Sequence, residues 1–209
     1  YQGPALAKRY RDRIERLDAA ILRAGIEGPM GDEITRAVAI NYAKLLAYKD
    51  EYEVARLMTR PEAKAMRDAA FTGTRTAAFH LAPPFLGSHD ASGRAKKRAF
   101  GAWILPFLKL LARMKLLRGT SFDPFGYTTE RRAERALIAA YEADLDLVEA
   151  ALSRPLSEAA IAVITDLLRL PETIRGFGPV KAEAMAKAAR ERGRLHARLE
   201  AGLTRGMPE

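Results

Sequence analysis

The chain has 209 residues, 48% of them hydrophobic and 29% charged, a globular composition that excludes an intrinsically disordered chain. It contains no cysteine, which rules out thiolate catalysis, cysteine-held zinc, iron–sulfur ligation and disulfides; its three histidines, His80, His89 and His196, are scattered. With 35 basic and 26 acidic residues the net charge is +9, a surplus that suits an anionic partner.

No uncharged apolar run approaches the ~18 residues that span a bilayer, and no signal peptide opens the chain, so a cytoplasmic protein is expected. Tyr1 stands first in place of Met, which we read as the mark of a longer parent. Residues 1–209 are expected to form a single helical domain of that parent.

Ile14, Leu17 and Ile21 recur at helical spacing between Lys8 and Ala24, and Gly25 is placed to end that helix. Gly28, Pro29 and Gly31 form a turn. Asp32 is expected to cap a long helix running toward Met58, with Ile34, Val38, Leu45 and Tyr52 on one face. Thr59-Arg60-Pro61 breaks it and starts a short helix ending near Phe71. Helical spacing then disappears. A long irregular segment near 72–93 follows, with room for one short strand around Thr76–Leu81.

Helicity resumes from about Lys96 to Leu117, with Pro106 expected to kink it. After Gly119, Pro124 and Gly126, Thr128 is placed to cap the clearest helix in the chain, whose stripe is Leu137, Tyr141, Leu145, Val148 and Leu152. A shorter helix runs from Ser157 to Leu168, and a final one to about Ala201. The fold class is mainly α, a multi-helix domain.

The charge surplus is local. Between Ala91 and Phe122 there is no Asp or Glu, while eight of the basic residues lie there, which leaves 27 basic against 26 acidic elsewhere. Arg94, Lys96, Lys97 and Arg98, close to Trp103, mark a candidate interface segment. The other reading is a helix that buries its aromatic residues and solvates its lysines.

Two motifs carry the functional argument. The first, Leu170 to Met185, holds Arg175-Gly-Phe-Gly178 between helices and looks like a helix-hairpin-helix, a nucleic-acid-binding module. The second is Arg118-Gly-Thr-Ser-Phe-Asp-Pro-Phe-Gly-Tyr-Thr-Thr-Glu-Arg-Arg-Ala-Glu-Arg135. Composition alone reads it as a turn, opened by Asp123-Pro124, feeding a capped helix.

Together with Ala39 to Leu57, Phe79-His-Leu-Ala-Pro-Pro84, Lys97 to Trp103 and Ile174-Arg-Gly-Phe-Gly178 with Val180-Lys181, this motif resembles the C-terminal region of indolepyruvate ferredoxin oxidoreductases, of the 2-oxoacid:ferredoxin oxidoreductase family. The resemblance implies a parent that oxidatively decarboxylates arylpyruvates to acyl-coenzyme A, using thiamine diphosphate, Mg, coenzyme A and iron–sulfur clusters. It implies, as partners, the catalytic thiamine-diphosphate subunit and a preceding γ-like domain, with ferredoxin or another acceptor reached indirectly. No cofactor is expected on this chain, which has neither cysteines for a cluster nor a Gly-Asp-Gly…Asn signature. A non-catalytic accessory and subunit-contact domain is the expectation; a nucleic-acid-binding hairpin is the alternative, weakened because the same Gly-Phe-Gly turn belongs to an enzyme subunit. One position departs from the family pattern: Pro179 stands where His is expected before Val180-Lys181.

Four cations, Arg118, Arg131, Arg175 and Lys181, sit in or beside glycine-containing turns next to helix starts. Each suits an anion, such as a coenzyme A phosphate or a partner carboxylate. Equally, each suits a tie from its turn to a neighbouring helix or to an acid such as Asp123. His80, between Phe79 and Leu81, reads as a packed histidine, and Tyr42, Tyr48 and Tyr52 as a core or interface stripe. Ser121 has no nucleophile context.

Overall fold

The computed structural model describes residues 3–48, 50–70, 78–83 and 96–205. The fold is mainly α-helical, with a single small antiparallel sheet among the described residues. Its contacts gather into two compact units, Tyr1–Tyr48 with Ala133–Glu209, and Lys49–Arg132.

The first unit opens with α1 (Pro4–Arg23), whose proline occupies the first turn, where no N–H partner is needed. It closes in a Schellman arrangement: Gly25 at φ +72° donates to Leu22 O, and Ile26 N donates to Ile21 O at 3.2 Å. The chain reverses into α2 (Pro29–Leu46), which starts at Pro29, one turn earlier than an Asp32 cap implies. Here α1 and α2 pack together, and Gly31 meets Ile26 so closely that an added Cβ would lie 2.4 Å from the Ile26 carbonyl oxygen.

Within α6 (Thr129–Leu152) the expected stripe points inward: Tyr141, Leu145, Val148 and Leu152 are buried and Leu137 is half-buried. Thr128 Oγ1 accepts from Arg131 N at 3.3 Å, the expected cap. Next comes α7 (Glu158–Arg169), capped by Ser157, whose hydroxyl accepts from Ala160 N. A 3-10 turn over Leu170–Thr173 leads to α8 (Pro179–Arg205), which outlasts the expected end at Ala201. The core joins Leu17 and Ile21 of α1, Val38 and Tyr42 of α2, Leu145 of α6, Leu167 of α7 and Leu199 of α8.

The second unit holds α3 (Glu51–Thr59), α4 (Pro61–Ala70), β1 (Phe79–Leu81), β2 (Arg98–Phe100) and α5 (Leu105–Arg113). The long helix expected from Asp32 to Met58 is thus two helices. Asp50 causes the break: its carboxylate accepts from Glu53 N at 2.7 Å and caps α3. The expected short strand is found at Phe79–Leu81; its partner, Arg98–Phe100, falls where helix was expected, in the register His80↔Ala99. Pro106 does not kink α5. It lies in the first turn, preceded by a 3-10 turn over Ala102–Ile104, and so starts the helix. Most of the stretch 72–93, and Arg94, lie outside the described residues.

Candidate functional site

In the second unit Arg118 and Arg131 both reach the start of α3. Arg118 Nε lies 2.5 Å from Asp50 Oδ2 and its Nη2 donates to Asp50 Oδ1 at 2.9 Å, while its guanidinium stands 5.8 Å from the Tyr52 ring centroid. Arg131 Nη2 pairs with Glu51 Oε2 at 3.2 Å. Both arginine side chains are largely buried, so in this unit they tie the 118–131 segment to α3. Asp123, the acid nearest Arg118 in sequence, instead accepts from Gly119 N, Phe125 N and the Tyr52 hydroxyl.

The basic segment surrounds α5. Leu108 faces inward and α5 packs against α3, yet Trp103, Phe107 and Leu110, spaced four and three residues apart, are 61%, 62% and 58% exposed. Phe100, Trp103 and Phe107 meet edge to face, with centroids 5.8 and 6.1 Å apart. Lys96, Lys97, Arg98, Lys109, Arg113 and Lys115 are all exposed, and none forms an ion pair among the described residues. The helix therefore carries apolar groups on two faces, one packed and one open, within a wholly cationic run. His80 is also exposed, because strand alternation turns Phe79 inward and His80 outward.

In the first unit Arg175 and Lys181 converge on a cleft of about 340 Å³, whose lining includes Lys44, Tyr48, Glu134 and Phe177. Two glycines shape the turn. Gly176 has φ +95°, and a Cβ there would lie 2.8 Å from Val180 Cγ1; Gly178 has φ +55°. With the backbone so bent, the Phe177 ring is 77% exposed. The Lys44 ammonium donates to the carbonyls of Pro171 (2.6 Å) and Ile174 (3.1 Å). Lys181 Nζ pairs with Glu134 Oε1 at 2.7 Å, and Arg175 Nε donates to Glu172 O at 2.9 Å. Burial, and then the charges of Arg175 and Lys181 against the opposing Glu172, hold the Lys44 ammonium below its ordinary range.

Lys44 is the member that sequence reasoning missed. It lies on α2, more than a hundred residues from Arg175, and nothing local distinguishes it from any other helical lysine. A larger depression in the same unit, about 510 Å³, is lined by Glu33, Arg169 and Glu172, whose charges pair with one another at 3.0 and 3.3 Å. The tyrosine stripe divides: Tyr42 and Tyr52 are buried, and Tyr48 lines the cationic cleft.

Fold and site together define a mainly α-helical protein with an open basic-aromatic helix and a separate cationic cleft. Residues 1–194 match the model of a family of unknown function, DUF6537, and the chain belongs to that family. No curated protein and no solved structure matches it. Among the described residues no helix is long and apolar enough to cross a membrane, and no group of three or more histidine or acidic side chains is placed to hold a metal ion.

Proposed function

We propose that this chain is a non-catalytic helical domain of an indolepyruvate, or arylpyruvate, ferredoxin oxidoreductase subunit, acting in the cytoplasm. In this reading it docks the parent against the catalytic thiamine-diphosphate subunit. The sequence resemblance supplies the family. The observation that carries the docking role is the open strip of Trp103, in the turn before α5, with Phe107 and Leu110 on α5, set among cations that form no ion pair among the described residues. Large apolar side chains ringed by charge are the composition of an interface centre and rim. A wholly basic rim selects an acidic face on the partner. Thiamine diphosphate, Mg, coenzyme A and the iron–sulfur clusters would then reside elsewhere in the complex.

The test is co-purification of the catalytic subunit with the parent chain. Phe107→Asp changes an exposed side chain, so the fold should survive while the complex is lost, as it should be on deleting 91–122. Unchanged assembly and turnover in both variants would overturn the reading.

A further inference from the structure

The cleft around Lys44, Arg175 and Lys181 lies in the first unit and has no part in the docking just proposed. Among the described residues three cations and one carboxylate, Glu134, line it, and the Glu172 carboxylate acts on Lys44 from beside it. Each cation is fixed by at least one protein oxygen: Lys44 by two carbonyls, Lys181 by Glu134 and Arg175 by the Glu172 carbonyl. Fixing them removes much of the side-chain entropy that a ligand would otherwise have to quench. None is used up by these bonds. Among the described residues an ammonium hydrogen of Lys44, two of Lys181 and both terminal amino groups of Arg175 have no protein acceptor.

The cations also disfavour one another. Burial and then Arg175 and Lys181 push the Lys44 ammonium toward its neutral form, Glu172 opposes them only in part, and an added negative charge among the three would relieve them further. At the rim the Phe177 ring stands open to solvent, where a core phenylalanine would be buried. It is held there by the left-handed glycines on either side.

The geometry points to a binding site for a small phosphate-bearing molecule with a planar ring, of the nucleotide class, its phosphates between Lys44, Arg175 and Lys181 and its ring on Phe177. The open donors are spread over three side chains, which the several oxygens of a diphosphate can meet together and the two of a single carboxylate cannot. Arg175, the solvent-facing member with terminal donors in a planar fork, is the phosphate clamp.

Calorimetric titration of the full chain at low ionic strength tests this, with ADP, pyrophosphate, adenosine, indole-3-acetate and a duplex oligonucleotide as probes. ADP and pyrophosphate should bind and adenosine should not, and binding should weaken as salt rises. Arg175→Gln should weaken ADP and pyrophosphate alike, by roughly tenfold. Phe177→Ala should weaken ADP about fivefold and leave pyrophosphate unchanged. Both side chains are exposed, so unaltered melting temperatures should accompany both changes.

Failure of ADP and pyrophosphate to bind at millimolar concentration would overturn the proposal, as would ADP affinity indifferent to Arg175→Gln. Tighter binding of indole-3-acetate than of ADP would make this a carboxylate site instead. Duplex binding far tighter than that of ADP, and lost in Arg175→Gln, would make the turn a nucleic-acid hairpin.

Discussion

The Tyr52 hydroxyl donates to Asp123 Oδ1 at 3.0 Å, which joins the first turn of α3 to the glycine-flanked turn before α6. The same carboxylate accepts from Gly119 N at 3.0 Å and Phe125 N at 3.1 Å, and the Tyr52 and Phe125 rings meet edge to face at 5.2 Å. Asp123 thus organises a turn and satisfies a buried phenol. Asp123→Ala leaves all three donors without this acceptor and should cost about 2–4 kcal/mol in denaturant unfolding. Asp123→Asn keeps one acceptor oxygen and should cost less; equal losses would show that the turn does not depend on the second oxygen.

Alkaline pH should unfold the protein through its tyrosines. Burial, then the Glu142 carboxylate that its hydroxyl meets, pushes the Tyr42 phenol up; burial and Asp123 do the same to Tyr52, and burial and Asp144 to Tyr141. In the unfolded chain these phenols ionise near pH 10. Above that pH the unfolded state binds fewer protons than the folded one, so stability present below about pH 10 is lost as pH rises. Absorbance at 295 nm, followed against helical circular dichroism, should show three of the seven tyrosines ionising only as the helices melt. All seven titrating with helicity intact would refute this.

An asymmetry is expected between Asp144 and Arg192. The guanidinium Nε lies 2.8 Å from both carboxylate oxygens and Nη2 donates to Ala140 O, linking α8 to α6. The acid side chain is 4% exposed and the arginine 31%. Arg192→Met strands a buried carboxylate, with His196 at 2.6 Å as its remaining partner, and should cost about 3 kcal/mol. Asp144→Leu frees an arginine that reaches water, and should cost about 1 kcal/mol. Paired unfolding curves giving the reverse order would contradict the assignment of burial.

Two glycine-to-alanine changes should have opposite signs. At Gly31 the new methyl meets the Ile26 carbonyl oxygen and also lies 3.3 Å from Ile21 Cγ2, so α1 and α2 must separate. A loss of about 2 kcal/mol is expected. Gly193 lies exposed within α8 with nothing within 4 Å of an added Cβ, and Gly193→Ala should stabilise by about 1 kcal/mol. Melting temperatures of the two variants decide it.

Local chemistry explains which elements the sequence revealed. Gly25, Pro61, Thr128 and Ser157 mark helix ends through their own backbone preferences, and the α6 stripe declares its buried face by spacing alone. The break before Asp50 was hidden because the apolar period runs on from Leu45 to Tyr52, while the capping bond that ends the continuity involves only Asp50 and Glu53. The strand Arg98–Phe100 was hidden by its length, three residues paired with a distant partner. At the sites, the basic run is visible as composition. The cleft is not: Arg175 and Lys181 are near neighbours in sequence, but their grouping with Lys44 exists only once α2 packs beside the Leu170–Ile174 segment.

Tyr48 and Glu134 line the same cleft, although the whole of Lys49–Arg132 separates them in the chain. The polypeptide therefore leaves the first unit and re-enters it at neighbouring points, so the second unit is an insertion within the first. Closing so long a loop costs little more than closing a short one, about 0.6 kcal/mol for each doubling of length. Replacing 49–132 with a few glycines and serines should therefore leave α1, α2, α7, α8 and the part of α6 from Ala133 to Leu152 able to assemble around their own core. The cleft, lined by residues of the first unit alone, should then survive the replacement.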